Sequence, residues 1–327
     1  MSLLEIDSLC TDLNLSPLRC HLLRILALLL LTGCMAEPST PPSDQPAADR
    51  PVVLTTFGVL ADIARNVAGD RLEIRSITRE GAEIHGYEPS PSDIKRATDA
   101  DLIVENGLGL ELWLRQFIRN AGDIPTVTLG DGIDTLPITE DAYAGQPNPH
   151  VWTSPQRTAG YVDMLVNAFA ELDPDGAKLF AANGVAYKKR LWALDAKMKT
   201  GLAVIPPAQR LLVSCEGAFS YLAADYGLDE AYLWPVNADN QVTPRRMARL
   251  IEMVRHRKVP AVFCESTVSD KAQRQVARVT GAQFGGNLYV DSLSGPDGPA
   301  PTLLDLQRYN MKLIIEGLAP KGEIHAH

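Results

Sequence analysis

The sequence predicts an α/β protein built as two doubly wound parallel-sheet lobes joined by a long helix. Three observations carry this. Short apolar runs alternate with helical patterns over 52–129, the alternation returns over 211–290, and between them the pattern stays helical from 154 to about 202. A chain of 327 residues also exceeds what one hydrophobic core usually organises.

In the first lobe, placed over 51–173, residues 52–55 form a short apolar strand and 60–67 a helical pattern. Residues 72–77 alternate as a strand does, and 91–98 begin a helix just after a proline-rich turn. A buried strand over 102–104, a helix over 111–120 and a strand over 126–129 complete the unit. From 154 to about 202 the pattern stays helical. Its later part carries Leu179, Phe180, Val185, Tyr187, Leu191, Trp192 and Leu194 near helical spacing. At about 1.5 Å per residue, a linking helix over 174–203 exceeds ~30 Å in length. The second lobe, over 204–327, has strands at 211–214, 231–236, 261–264 and 286–290. Helices at 218–226, 244–256 and 269–280 separate them, and a helix over 302–318 closes the chain.

Composition bounds the function. The chain is 46% hydrophobic and 22% charged, as ordinary globular proteins are. Its net charge of -9, with both signs interspersed, argues against nucleic acid as a partner, because phosphate binding needs a basic face. Near the start, Arg19 and Arg24 precede an apolar run over 25–31 that ends in Leu31-Thr32-Gly33-Cys34. The run is too short to span a bilayer, and its flanks fit a secretory signal over 1–33. The ending looks like a bacterial lipobox, in which Cys34 becomes the lipidated N-terminus; residues 1–17 have no counterpart in that pattern. Residues 34–50 are Pro- and Ser-rich and read as a flexible tether. Signal, anchor, tether and domain then follow in the order of an extracytoplasmic, membrane-anchored protein, on the periplasmic or cell-surface side.

Four positions stand out because each is expected beyond the carboxyl end of a strand, where open parallel sheets bind ligands. They are His85 in Ile84-His85-Gly86-Tyr87, His150 in Asn148-Pro149-His150-Val151-Trp152, Glu216 in Cys215-Glu216-Gly217, and Asp291 in Val290-Asp291-Ser292. If the lobes face each other, the four converge on an interlobe cleft. Two imidazoles and two carboxylates make a mixed N/O donor set that tilts toward Mn²⁺ and leaves Fe²⁺ and Zn²⁺ open. Each residue has an ordinary reading too. A loop histidine is often only a hydrogen-bonding group, Glu216 can cap the following helix, and Asp291 with Ser292 can shape a turn. His256 belongs to a basic helical face, and His325 and His327 to the chain end. Tyr87 and Trp152 read as core residues, and Glu265 as a residue beside the site.

The chain resembles the metal-binding solute-binding lipoproteins of manganese, zinc and iron ABC importers, the adhesin-type family. The resemblance spans about 52–318 and rests on five ordered blocks. These are Ile84-His85-Gly86-Tyr87-Glu88-Pro89-Ser90-Pro91, the run 100–107, Asn148-Pro149-His150-Val151-Trp152, Glu216-Gly217-Ala218-Phe219 and Tyr289-Val290-Asp291-Ser292-Leu293. It implies that His85, His150, Glu216 and Asp291 are the metal ligands, with Glu216 resembling the manganese/iron type where zinc-type members carry histidine. It implies a monomer that captures metal without catalysis and hands it to a membrane permease with its ATPase. Ile84, Asn148, Thr153 and the stretch 237–241 depart from the usual pattern around the site.

Of five cysteines, Cys215 and Cys264 remain once Cys10, Cys20 and Cys34 are assigned to the leader and anchor. A strand order of 2-1-3-4 makes the first and third strands of the second lobe neighbours, so these two residues can form a disulfide in an oxidising compartment. Rival classes are a metal-dependent hydrolase, which needs three protein ligands and an open position for water, and a surface adhesin on the same scaffold. Deprotonated ligands predict affinity that falls with pH, and the long helix predicts only a small lobe movement on binding.

Overall fold

The computed structural model describes residues 50–319 apart from 123, 141–142 and 237–241. The signal segment, Cys34, the tether up to residue 49, the stretch 237–241, His325 and His327 lie outside the described residues.

β1 (Val52–Thr55) pairs in parallel with β2 (Glu73–Ser76) and β3 (Leu102–Glu105), and β3 pairs with β4 (Thr126–Thr128), giving the order β2-β1-β3-β4. Parallel neighbours need crossover connections, and helices supply them. α1 (Gly58–Ala68) buries Val59, Leu60, Ile63 and Val67 against the sheet. α2 (Pro91–Ala97) starts where Ser90 and Asp93 form a reciprocal capping box, with proline at the first helical position. α3 (Leu114–Ala121) begins three residues later than the sequence pattern suggests. The reason lies in 107–111, where Gly107, Leu108 and Gly109 all take positive φ. There the Glu111 carboxylate accepts from the backbone N–H groups of Asn106 (2.8 Å) and Gly107 (3.1 Å), closing a loop rather than a helical turn.

After an irregular segment and a short 3₁₀ turn, Val151–Thr153, come α4 (Pro155–Leu172) and α5 (Ala177–Ala203). They pack closely at Gly184, where a Cβ would meet Val166 at 2.6 Å. α5 buries Phe180, Tyr187, Leu191, Leu194, Met198 and Leu202, but Leu179, Val185 and Trp192 of the same apolar pattern are exposed. Its inner face packs against α1 at one end and the closing helix α9 (Leu303–Leu318) at the other.

The second β/α run places β5 (Leu211–Glu216), α6 (Ser220–Tyr226), β6 (Asp229–Trp234), α7 (Pro244–Arg257), β7 (Ala261–Glu265), α8 (Lys271–Thr280) and β8 (Gln283–Leu288) in order. β5 pairs with β6 and β7 with β8, all in parallel. β5 and β7 are neighbours, with Cys215 and Cys264 Cα atoms 4.8 Å apart, yet no ladder joins them among the described residues. Side chains take up β5 backbone groups instead. Gln273 Nε2 donates to the carbonyls of Val213 (3.3 Å) and Ser214 (3.1 Å), and the Glu216 N–H donates to the Glu265 carboxylate. β8 ends two residues before the expected 290 because the Asn310 amide binds both the N–H and the carbonyl of Tyr289.

The main core is continuous across both β/α runs and is lined by α1, α4, α5 and the second set of strands. A smaller cluster of Leu54, Ile77, Ala97, Ile103, Leu114 and Phe117 fills the space between the first sheet and α2–α3. Among the described residues, no helix is long and apolar enough to cross a membrane.

Candidate metal centre

His85 sits in the loop following β2, which the structure holds at three points. The Glu83 carboxylate accepts from the N–H groups of His85 (2.7 Å) and Gly86 (2.8 Å), and Trp113 Nε1 donates to the Ile84 carbonyl (3.0 Å). His150 does not follow a strand, contrary to the sequence expectation. It caps the Val151–Thr153 turn, and the preceding strand, β4, ends far upstream at Thr128. Asn148 Oδ1 lies 3.0 Å from the His150 backbone N and 2.9 Å from its Nδ1. An amide oxygen only accepts, so the proton resides on Nδ1 and Nε2 keeps its lone pair for the cleft. The Asn148 amide nitrogen donates in turn to the Gly217 carbonyl (2.8 Å), tying this loop to the residue after Glu216.

Glu216 is the last residue of β5, and its own N–H meets the buried Glu265 carboxylate at 3.3 Å. Asp291 lies three residues beyond β8 rather than at its end. Trp152 is fully buried and links the two loops that carry His150 and Asp291, donating from Nε1 to the Val290 carbonyl (2.9 Å). Tyr87 is partly buried and packs at the edge of the smaller core cluster; its ring lies against Trp113 and its hydroxyl donates to Asp93, so it also braces the His85 loop.

The four side chains singled out in the sequence come together. Their potential ligand atoms all lie within 4.8 Å of one another. His85 Nε2 is 3.3 Å from both His150 Nε2 and Glu216 Oε1, and His150 Nε2 is 3.6 Å from Asp291 Oδ1. Three of the four are buried and His85 is partly so, which leaves one side open to the cleft. Burial pushes the Asp291 carboxyl up to about 7, His85 opposing and Glu216 and Glu83 adding to the rise. Burial, and His85 after it, holds His150 well below its ordinary value. Glu265 is raised well above the carboxylate range by burial and then by the charge of Glu216. Crowded carboxylates beside an imidazole that resists protonation are only partly offset by His85, and a divalent cation would supply further positive charge. Asp291 Oδ1 and His85 Nδ1 are buried without a hydrogen-bond partner.

His256 lies exposed on α7, away from this cluster. The pattern of the sequence missed the placement of Trp113, for which it offers no signal. Asn148 was visible only as a departure from the family pattern. Cys215 and Cys264 form a disulfide immediately before Glu216 and Glu265.

A parallel α/β scaffold that gathers two imidazoles and two carboxylates at one cleft defines a metal-binding protein. The model of the family "Zinc-uptake complex component A periplasmic" matches residues 53–317. The iron-binding protein YfeA of Yersinia pestis is 46% identical over 289 residues, 88% of this chain and 92% of that protein. The manganese-binding lipoprotein MntA of Halalkalibacterium halodurans is 33% identical over 89% of this chain and 95% of its own length. The Mn-bound periplasmic metal binding protein of Candidatus Liberibacter asiaticus is 36% identical, with a TM-score of 0.75, covering 82% of this chain and all of that one. The chain belongs to this family of metal-binding, solute-binding proteins of ABC importers. It is a transport protein, not an enzyme.

Proposed function

We propose that the protein captures Mn²⁺ outside the cytoplasm and delivers it to the permease and ATPase of an ABC importer. His85, His150, Glu216 and Asp291 are the ligands, and the metal is cargo. The convergence of these four side chains carries the reading, since their ligand atoms fit around a single ion. The residues suit a divalent transition metal: an imidazole whose Nδ1 is engaged by Asn148, leaving Nε2 toward the cluster, and a buried carboxylate, Asp291, that His85 only partly offsets. The carboxylate share favours Mn²⁺. Fe²⁺ is the second reading, favoured by the 46% identity to an iron-binding relative. Cys34 anchors the mature chain by its lipid and 34–50 is the tether. The lobes extend over 51–173 and 204–327, with 174–203 linking them, and the protein acts as a monomer.

The test is elemental analysis and competition titration of the chain from Pro51 onward, wild type beside Glu216→Ala and Asp291→Ala. The expected result is one equivalent of metal in wild type, lost in both variants, with the competition series ranking Mn²⁺, Fe²⁺ and Zn²⁺. Zn²⁺ can bind tightly in vitro whatever the cargo, so the ranking is read against metal uptake in cells. Stoichiometric metal surviving both substitutions would remove the carboxylates from the site.

A further inference from the structure

We propose that the outer layer formed by α7 and α8 is a docking surface for anionic phospholipid, separate from the metal centre. The connections β6 to β7 and β7 to β8 run in the same direction across the second set of strands. Right-handed crossovers therefore put α7 and α8 on one face, where they pack side by side. This layer concentrates positive charge in an acidic protein. Residues 244–278 hold nine of the chain's 31 Lys and Arg but three of its 40 Asp and Glu, one of them the buried Glu265, while the whole chain carries -9.

Arg245, Arg249, Arg255, Lys258, Lys271 and Arg278 are all exposed. Arg249 pairs with Glu140, and Arg255 donates to the carbonyl of Val279 across the seam between the helices. Arg245, Lys258, Lys271 and Arg278 make no ion pair among the described residues, so their charge is available to a partner. One acid, Glu252, is exposed among them. Two apolar side chains stand out of the same layer, Met253 at 38% exposure and Val279 at 44%.

Cations flanking exposed apolar side chains suit a headgroup region, where the charges meet phosphates and the apolar tips enter the interface. The charge is spread along two helices of about 21 and 15 Å rather than gathered in a hollow. Such a spread fits a broad planar anion better than a protein loop. Because the helices run along the strands, docking by this layer lays the strand axes, and the cleft at their carboxyl ends, along the membrane plane. The docking needs neither the metal nor the lipid anchor.

Co-sedimentation tests this with the chain from Arg50 onward, which forms a compact unit. The vesicles are phosphatidylcholine alone or with phosphatidylglycerol added. The expected result is binding only when phosphatidylglycerol is present, weakening as salt rises. The combined variant Arg245→Glu, Lys258→Glu, Arg278→Glu should partition at least ~10-fold more weakly. The control Lys178→Glu, Lys189→Glu, Lys197→Glu, on exposed positions of α5 with the same net charge change, should bind as wild type does. All three proteins should keep the same metal affinity and Tm. Absence of binding to phosphatidylglycerol vesicles, or equal loss in both variants, overturns the proposal. So does a wild type indifferent to vesicles whose α7–α8 variant fails in metal uptake, which would assign the layer to an acidic protein surface.

Discussion

Asn148 shows what one residue contributes at this site. Its oxygen sets the His150 tautomer and its amide group reaches across to the Gly217 carbonyl. Asn148→Ala should weaken metal binding by about 10–100-fold, as loss of a partner that orients a metal-binding histidine usually does. Asn148→Asp keeps an acceptor for Nδ1–H and should recover part of that loss in a competition titration. Equal affinities in all three proteins would mean that packing alone orients the ring. Glu111 supports a second prediction at this scale. Burial raises its carboxyl from 4.5 to about 7, against the hydrogen bonds it accepts from Asn106, Thr56 and Gly107. The unfolded chain loses this proton near its ordinary value and the native chain near 7, so the native state binds the extra proton between them. Its contribution is fully present below pH 4.5 and falls as pH rises through 7, by an amount on the order of 3 kcal/mol. Glu111→Gln does not titrate. In urea unfolding without metal, its stability relative to wild type should therefore improve between pH 5 and pH 8; parallel pH profiles would sink the assignment. That His85, His150, Glu216 and Asp291 come together was legible in the sequence through the ordered blocks that carry them, although His150 and Asp291 stand away from the strand ends where the pattern put them. The groups that aim them were not, since a hydrogen bond such as Trp113 to the Ile84 carbonyl leaves no periodic trace.

Among the elements, β5 and β7 are where sequence and structure part most informatively. The order of strands and the pairing of Cys215 with Cys264 both follow from doubly wound topology. The interruption between the two strands does not, because it depends on Gln273 and Glu265 reaching β5 backbone groups. With side chains replacing a ladder, the disulfide is the covalent tie that keeps Glu216 and Glu265 in register. It closes a loop with a sequence separation of 49, which corresponds to about 4 kcal/mol in the chain-entropy model. Reduction, or Cys215→Ala with Cys264→Ala, should lower Tm and weaken metal binding together. A drop in Tm with unchanged affinity would show that the bond steadies the fold without setting the site, and free thiols in oxidised protein would remove the bond itself. Strand and helix boundaries moved by up to three residues where a side chain captured backbone groups, as Glu111 does before α3 and Asn310 does after β8. No hydrophobic pattern encodes such captures.

At the scale of the molecule, the two β/α runs were legible because alternation of short apolar strands with helices has few other solutions. How strongly they are joined was not. The Asp62 carboxylate of α1 accepts from the N–H of Leu303 at the start of α9 (2.9 Å), and Trp152 donates to the Val290 carbonyl. The N–H of Gly81, in the loop that carries His85, donates to Ser292 Oγ at 2.5 Å, one residue from Asp291. α5 meanwhile packs against helices from both ends of the chain. These ties bridge residues far apart in sequence, which is why local patterns do not reveal them, and each must break if the halves swing widely. Metal binding should therefore change the shape little. Small-angle scattering of the chain from Arg50 onward should give a radius of gyration near about 19 Å with or without Mn²⁺. The adjustment should concentrate in the two loops bearing His85 and Asp291, and Ser292→Ala, which removes the acceptor for Gly81, should speed metal release with little effect on Tm. A collapse of several ångströms on loading would mean that the Asp62 and Trp152 ties open in solution, and that the halves close on metal as a hinge.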